Sequence, residues 1–393
     1  MVFGAAERVW TRASVLSLAT IILLSGCGNG SSSSEVRANG DGEPSAPEPE
    51  LARTAPALAW TGDALFVYGG SSPTRDVADG YLVDESGEWL ARVPPIEGVD
   101  LAEPTAAHVD RRVVVLGLDC SEIVDEECQP GTVGGGVFDL DQGEWKAWEL
   151  PPTLEKISGD VPAVLGVANG MVIVRAGLGS SDFWQIDPTD GSWHDLPDPA
   201  GPFDGACVAG DRLVVVSTID PTPEEADGGF VPAEGEVVEA APARVSPRVA
   251  ALELGDPRDA IDGWAEGPSF DGASFTGGTP DVLCTDDAVV VTEPLSADGV
   301  VVYDLSAGVW RSATPAPENA GYFVVRVSTG SELLFVPASA GDFGLAYHPG
   351  KDTWRQTAQG TVWATHVGVW TGRAVVGVAA AEAGQGGPYL YQP

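Results

Sequence analysis

Cations are scarce in this sequence: 20 Lys and Arg stand against 58 Asp and Glu in 393 residues, a formal charge of −38. Sequence-independent nucleic-acid binding needs cations that neutralise phosphates, so that class is excluded. Adsorption to anionic lipid through a basic face is excluded on the same ground. Histidine is rare too, at four residues, and no apolar run approaches the roughly 20 residues that span a bilayer. Local signatures of common catalytic and metal sites are missing: there is no C-x-x-C, no G-x-S-x-G and no H-E-x-x-H. No catalytic residue, metal site or cofactor is therefore assigned from the sequence. What the chain does have is apolar material, with 44% hydrophobic residues and 12 Trp, so it is no acidic disordered tail. With 50 Gly and 31 Pro, turns are frequent, which predicts many short strands rather than long helices.

The first residues read as an address. Arg8 and Arg12 precede a mostly apolar, uncharged stretch from Ala13 to Leu24, and Leu24-Ser25-Gly26-Cys27 follows at once. A basic start, a short apolar segment and a small-residue cleavage site make a secretory signal. Leu24 at −3, Ser25 and Gly26, then Cys27 resemble the lipobox of bacterial lipoproteins, which implies cleavage before Cys27 and acylation there. Two or more acyl chains would hold the chain stably on a membrane. Beyond Cys27, Gly28 to Glu50 has no aromatic residue and one branched aliphatic, Val36, so it cannot bury enough surface to order itself. The expected organisation is a signal peptide over 1–26, a lipidated flexible tether over 27–48 and a folded body over 49–393.

The body repeats. A tight polar turn followed by a β-branched run recurs as TGDALFV (61–67), VDRRVVV (109–115), ANGMVIV (168–174), AGDRLVVV (209–216), TDDAVVV (285–291), TGSELLFV (329–336) and TGRAVVGV (371–378). Gly, Asn and Asp permit the positive φ of tight hairpins, and Val-rich flanks favour strands. The mean spacing is about 52 residues, near the roughly 50 of a propeller blade repeat. A second element follows most hairpins: YLVDESGEW (81–89), VFDLDQGEW (137–145), WQIDPTDGSW (184–193), VYDLSAGVW (302–310) and AYHPGKDTW (346–354), with a weaker LELGDPRDAIDGW (252–264). Here a third strand leads through a polar turn, usually with Asp, to a Trp that opens a fourth.

Tyr68-Gly69-Gly70, Ile186-Asp187-Pro188 with Trp193, Tyr303-Asp304 with Trp310, and Tyr347-His348-Pro349 with Trp354 resemble the kelch family of β-propellers over about 51–393. Only the first unit keeps the double glycine. The resemblance implies an all-β, seven-bladed propeller of four-stranded antiparallel sheets, with six blades as the alternative. Isolated sheets this short leave two open edges, whereas stacking them around an axis buries both faces. The repeated Trp residues are expected to fill the space between neighbouring sheets. The last unit (365–393) has three strands and no Trp strand. Glu50-Leu51-Ala52-Arg53-Thr54-Ala55-Pro56 echoes Glu88-Trp89-Leu90-Ala91-Arg92-Val93-Pro94, so residues 49–55 are expected to supply the missing outer strand and close the ring.

An even number of cysteines beyond Cys27 suits an oxidising compartment. Cys120 and Cys128 flank a short insertion and are candidates for a loop staple. Cys207 and Cys284 fall in corresponding inner strands of the fourth and fifth units and are candidates for a bridge between blades. Of the histidines, His194 and His348 fall on the surface, while His108 and His366 fall in predicted inner strands near the channel. A copper-radical oxidase of the galactose-oxidase type shares the propeller, but this chain matches no motif of that site. The sialidase Asp-box places Gly three residues before Trp. In this chain Gly stands two before Trp at Gly87/Trp89, Gly143/Trp145, Gly191/Trp193 and Gly308/Trp310. Two acidic insertions stand out, Thr218–Ser246 and Cys120–Cys128. Neither has calcium-loop spacing, so they read as solvated loops that could recognise a basic partner.

The function expected is a membrane-anchored, extracytoplasmic binding or scaffolding module for a protein or glycan of the cell envelope. A carbohydrate-active or metal-dependent enzyme with its site on the propeller rim is the alternative. Fold alone does not decide between them.

Overall fold

Each of the seven turn-and-run segments forms the hairpin its composition predicts. Asn169 and Gly170 show why: both take positive φ, 50° and 74°, in the turn joining Ala163–Ala168 to Met171–Arg175. The computed structural model describes residues 53–393 apart from 72–76, 121–122, 125–126, 129–131, 147, 149–160, 178–179, 220–243, 256–262, 271–272, 275–279, 293–298, 318–322, 338–340, 361–363 and 380–386. The expected signal peptide, Cys27 and tether lie outside these residues.

Seven antiparallel sheets follow in chain order, each a plain up-and-down meander. We number them blades 1 to 7. Their first strands are Ala57–Trp60, Leu101–Val109, Ala163–Ala168, Gly205–Ala209, Asp281–Cys284, Phe323–Ser328 and Ala364–Trp370. First strands of neighbouring blades pack side by side around the axis, blade 1 against both blade 2 and blade 7. Blades 1 to 6 each have four strands, and the fourth, as in Trp89–Val93 or Val309–Ser312, is the most exposed. Blade 4 adds a short strand at Ala273–Ser274, and a hairpin of two two-residue strands, Ile123–Val124 and Glu127–Cys128, sits within the blade 2 insertion. The described residues contain no helix long and apolar enough to cross a membrane.

The core is divided among seven interfaces, one between each adjacent pair of sheets. Ile173 and Phe183 of blade 3 meet Leu213 and Leu252 of blade 4. Phe323 and Phe335 of blade 6 meet Val290 and Val302 of blade 5. The last interface closes the ring: Val376 and Val378 of blade 7 pack on Leu65, Val67 and Tyr81 of blade 1. Each fully buried aliphatic or aromatic side chain contributes about 1.5–3 kcal/mol, so no blade is stable without its neighbours. This is the seven-bladed propeller expected from the repeats; the six-bladed alternative is set aside.

The polar turns explain themselves. Asp84 accepts hydrogen bonds from Ser86 N at 2.8 Å, Ser86 Oγ at 2.7 Å and Glu88 N at 2.9 Å. Asp304 repeats this with Ser306 N, Ser306 Oγ and Ala307 N, all within 2.9 Å. A carboxylate that accepts several N–H and O–H bonds fixes the turn and holds its own pKa below the usual range, as at Asp84 and Asp304.

The tryptophan after each such turn latches its blade to the one before. Trp145, Trp193, Trp264, Trp310 and Trp354 each pack into the interface with the preceding blade. Four of them also donate their indole N–H to a carbonyl beyond or within the preceding outer strand: Trp145 to Pro94, Trp264 to Pro197, Trp310 to Pro268 and Trp354 to Thr314, each at 2.7 Å. Trp89 of blade 1 is the exception, at 42% exposed. Its preceding blade is blade 7, which has three strands among the described residues.

The expected outer strand of blade 7, residues 49–55, is described only from Arg53 onward, and that part runs across blade 1. Thr54 forms an antiparallel bridge with Ser71, with N···O distances of 2.7 and 3.0 Å. Gly70 takes φ +79° beneath it; a Cβ there would lie 2.6 Å from Thr54 O, so only glycine fits. Arg53 is fully buried, bonds Gly69 O at 3.1 Å and Asp79 Oδ1 at 2.9 Å, and lies over the Tyr81 ring at 5.0 Å. Arg92 takes the other oxygen of Asp79, at 2.6 Å. The echoed arginines therefore share one carboxylate in blade 1, and the residues ahead of Arg53, where the expected closing strand of the seventh blade falls, lie outside the described residues.

Candidate functional site

At the end of the ring where first strands begin, a cavity of about 520 Å³ opens between the first strands of blades 1, 2, 3 and 7. That volume falls within the range of small-ligand and side-chain pockets. Three Xaa-Pro steps build its wall: Ala55-Pro56, Glu103-Pro104 and Val161-Pro162. Ala57, Leu58, Ala106, Ala163 and Val369 complete an apolar lining in which Glu103 is the single ionisable residue and Thr105 the single hydroxyl.

Proline is placed here for a reason. It lacks an N–H and fixes φ, so Pro56 and Pro162 stand just ahead of an innermost strand, and Pro104 at the bulge within Leu101–Val109, without leaving a donor unpaired at the channel mouth. The residues ahead of two of these prolines hold the left-handed region: φ is +50° at Ala55 and +47° at Glu103. Neither is glycine, so each conformation costs about 1–2 kcal/mol and is held by the packing around it. Pro104 is itself gripped, since a Cβ on Gly69 would come within 2.9 Å of it. The effect is to hold Glu103, an exposed residue, in the cavity lining on a fixed stretch of backbone.

Topology decides which connections surround this mouth. Antiparallel pairing sets Ala57 beside Tyr68, Leu101 beside Asp119 and Ala163 beside Arg175, so second strands end where first strands begin. The second-to-third connections of all seven blades therefore leave from the cavity end. Among them are the two acidic insertions, entered at Asp119 and Ile219 and left at Thr132 and Arg244; most of both insertions lies outside the described residues.

The candidates singled out by sequence scatter. Cys207 and Cys284 form a disulfide, Sγ–Sγ 2.06 Å and Cα–Cα 5.8 Å, which joins the first strands of blades 4 and 5. Cys120 is also disulfide-bonded, while the side chain of Cys128 lies outside the described residues. His108 alternates with Ala107 and Val109, which enter the blade 2–3 interface, and so turns toward blade 1. Burial holds its imidazole below the usual range. His194 lies on the outer strand of blade 3, 3.2 Å from Ser192 Oγ. His348 precedes a short 3₁₀ turn at Pro349–Lys351 in blade 6, and the side chain of His366 lies outside the described residues. These histidines belong to four different blades. Among the described residues no group of three or more His, Cys, Asp or Glu side chains is placed to hold a metal ion.

Sequence reasoning passed over the cavity residues Pro56, Glu103, Pro104 and Pro162. A signal was present: an Xaa-Pro step immediately ahead of the first strand in blades 1 and 3 and, at a bulge, within the first strand of blade 2.

No family model matches the chain, and no curated protein matches it. Among solved structures, one described as the structure of YjhT is similar, with a TM-score of 0.44 and 14% identity over 79% of this chain and 99% of that one. No residue role is carried over from it, and the site rests on the residues of this chain alone.

Proposed function

We propose that the chain is a lipid-anchored, extracytoplasmic kelch-like propeller that binds a macromolecular partner of the cell envelope at the channel mouth. The observation that carries this reading is the cavity of about 520 Å³ walled by three Xaa-Pro steps, two of them with the residue before proline held at positive φ. Its composition favours protein over glycan. Sugar recognition leans on aromatic platforms and convergent hydrogen-bond donors, whereas this wall is proline, alanine, valine and leucine. Anchorage rests on Leu24-Ser25-Gly26-Cys27 and on the polar, aromatic-free composition of 28–50 that follows.

Two measurements test the proposal. A photo-crosslinking residue at Thr105 in intact cells should capture a defined partner that the same residue at Gly330, in a hairpin turn at the other end of blade 6, does not. Equal capture at both sites, or none at either, refutes binding at the mouth. Cys27→Ala should move the protein from the membrane fraction to the soluble one; unchanged fractionation refutes the anchor.

A further inference from the structure

We infer that Asn169-Gly170, the first hairpin turn of blade 3, is a site of spontaneous deamidation whose rate is governed by opening of the joint between blades 3 and 4.

The other first-to-second hairpins turn on Gly, Asp, Arg or Ser, as at Gly62-Asp63, Asp110-Arg111 and Gly372-Arg373; blade 3 alone turns on asparagine followed by glycine. That step meets both requirements of the reaction. Asn169 Cγ carries an amide that can leave as ammonia, and the next residue has no side chain to hinder attack by its backbone nitrogen. Both residues are exposed, so solvent base and water reach them. Gly170 N gives its proton to solvent base and bonds to Cγ, the Cγ–Nδ2 bond breaks, and Nδ2 takes up a proton and departs as ammonia. Water then opens the resulting cyclic imide, at Cγ to give aspartate or at the main-chain carbonyl to give isoaspartate. Water is the only co-reactant consumed.

The fold decides how often this happens. Asn169 Nδ2 donates to Leu254 O of blade 4, 85 residues along the chain, which holds the carboxamide across the joint and off Gly170 N. The φ angles of +50° and +74°, with Ala168 paired to Met171, are those of a type I′ turn and fix the backbone as well. Attack therefore waits for the bond to Leu254 to break. That acceptor belongs to the joint itself, since Leu254 is buried with Ile173, Phe183 and Leu213 between the two blades. The product cannot restore the latch. A carboxylate has no N–H to donate and would set an anion against the Leu254 carbonyl. Each event leaves the joint permanently looser.

Tryptic peptide 157–175 carries Asn169 as its only asparagine. Its mass, with chromatographic separation of aspartate from isoaspartate, reads the site after incubation of the full chain in mildly alkaline buffer. The folded chain should deamidate at least about tenfold more slowly than the same chain in urea, because latch and turn must open first. Trp264 donates to Pro197 O across this joint, whereas Trp310 donates to Pro268 O across the next. Trp264→Phe should raise the rate at Asn169 about three- to tenfold. Trp310→Phe should leave it within about twofold. Asn169→Asp, the product itself, should unfold at a lower urea concentration than the native chain. The inference is overturned if folded and unfolded chains react at the same rate, if peptide 157–175 stays unmodified in urea, or if the two Trp variants act alike. An unchanged urea midpoint for Asn169→Asp would refute the latch and with it the control of the rate.

Discussion

Removing one side of the buried Arg53–Asp79 pair should cost more than removing both. Arg53 is fully buried and Asp79 is 15% exposed, with Nη2 and Oδ1 2.9 Å apart. In Asp79→Ala the guanidinium keeps its bond to Gly69 O and its place over Tyr81 but loses the charge of Asp79 2.9 Å away. Breaking a buried pair this way costs about 3–5 kcal/mol, and the surviving contacts place this case near the lower end. Arg92, half exposed, simply turns to solvent. Arg53→Met/Asp79→Ala removes the stranded charge and puts an apolar chain of similar reach beside Tyr81. That double variant should recover at least about 1 kcal/mol relative to Asp79→Ala. Urea unfolding followed by tryptophan fluorescence gives the comparison. If the double variant is less stable than Asp79→Ala, Arg53 is not held by charge pairing and the account of how the N-terminal segment is pinned to blade 1 is wrong.

Three further outcomes follow from other parts of the ring. The Cys207–Cys284 bridge closes a separation of 77 residues, so Cys207→Ala/Cys284→Ala should lower unfolding free energy by up to about 4.5 kcal/mol on the chain-entropy model; a loss under about 1 kcal/mol by urea midpoint would contradict that account. Burial raises the pKa of Asp352, but bonds from Thr314 and Tyr347 and the charge of Arg311 outweigh it and hold the carboxyl at about 2. Its stabilisation is thus present above about pH 4 and lost as pH falls through about 2. With the side chain 36% exposed, Asp352→Asn should cost only about 1 kcal/mol at pH 7, and an unchanged gap from the native chain at pH 2 would refute the assignment. Trp145→Phe and Trp310→Phe each forfeit an inter-blade hydrogen bond and should cost about 1–2 kcal/mol, while Trp89→Phe should stay within about 0.5 kcal/mol; equal melting shifts would mean the indole bonds do not latch the blades.

Much of the fold is legible in the sequence because each blade restates it. A tight polar hairpin turn and a β-branched run recur in all seven units, and a Trp after a polar turn in six, which leaves little room for another architecture. The Cys207–Cys284 bridge is legible for the same reason, since equivalent repeat positions become neighbours on adjacent first strands. The closure is less so. The likeness of Glu50–Pro56 to Glu88–Pro94 does not announce that Arg53 and Arg92 converge on Asp79, a tertiary contact that no local pattern carries. The cavity is harder still. Its prolines are spread over three repeats, and Ala55 and Glu103 gain significance only from backbone angles that no residue preference announces.

The claim beneath everything else is that blade 7 shuts directly against blade 1. Arg373 of blade 7 pairs with Glu85 of blade 1, 288 residues apart in the chain. Glu85→Cys/Arg373→Cys treated with a short bis-maleimide tests this most directly, with peptide mass mapping as the readout and the native chain as control. The account predicts a high-yield intramolecular cross-link that disappears in urea. Cross-links only between molecules, or none, would contradict it.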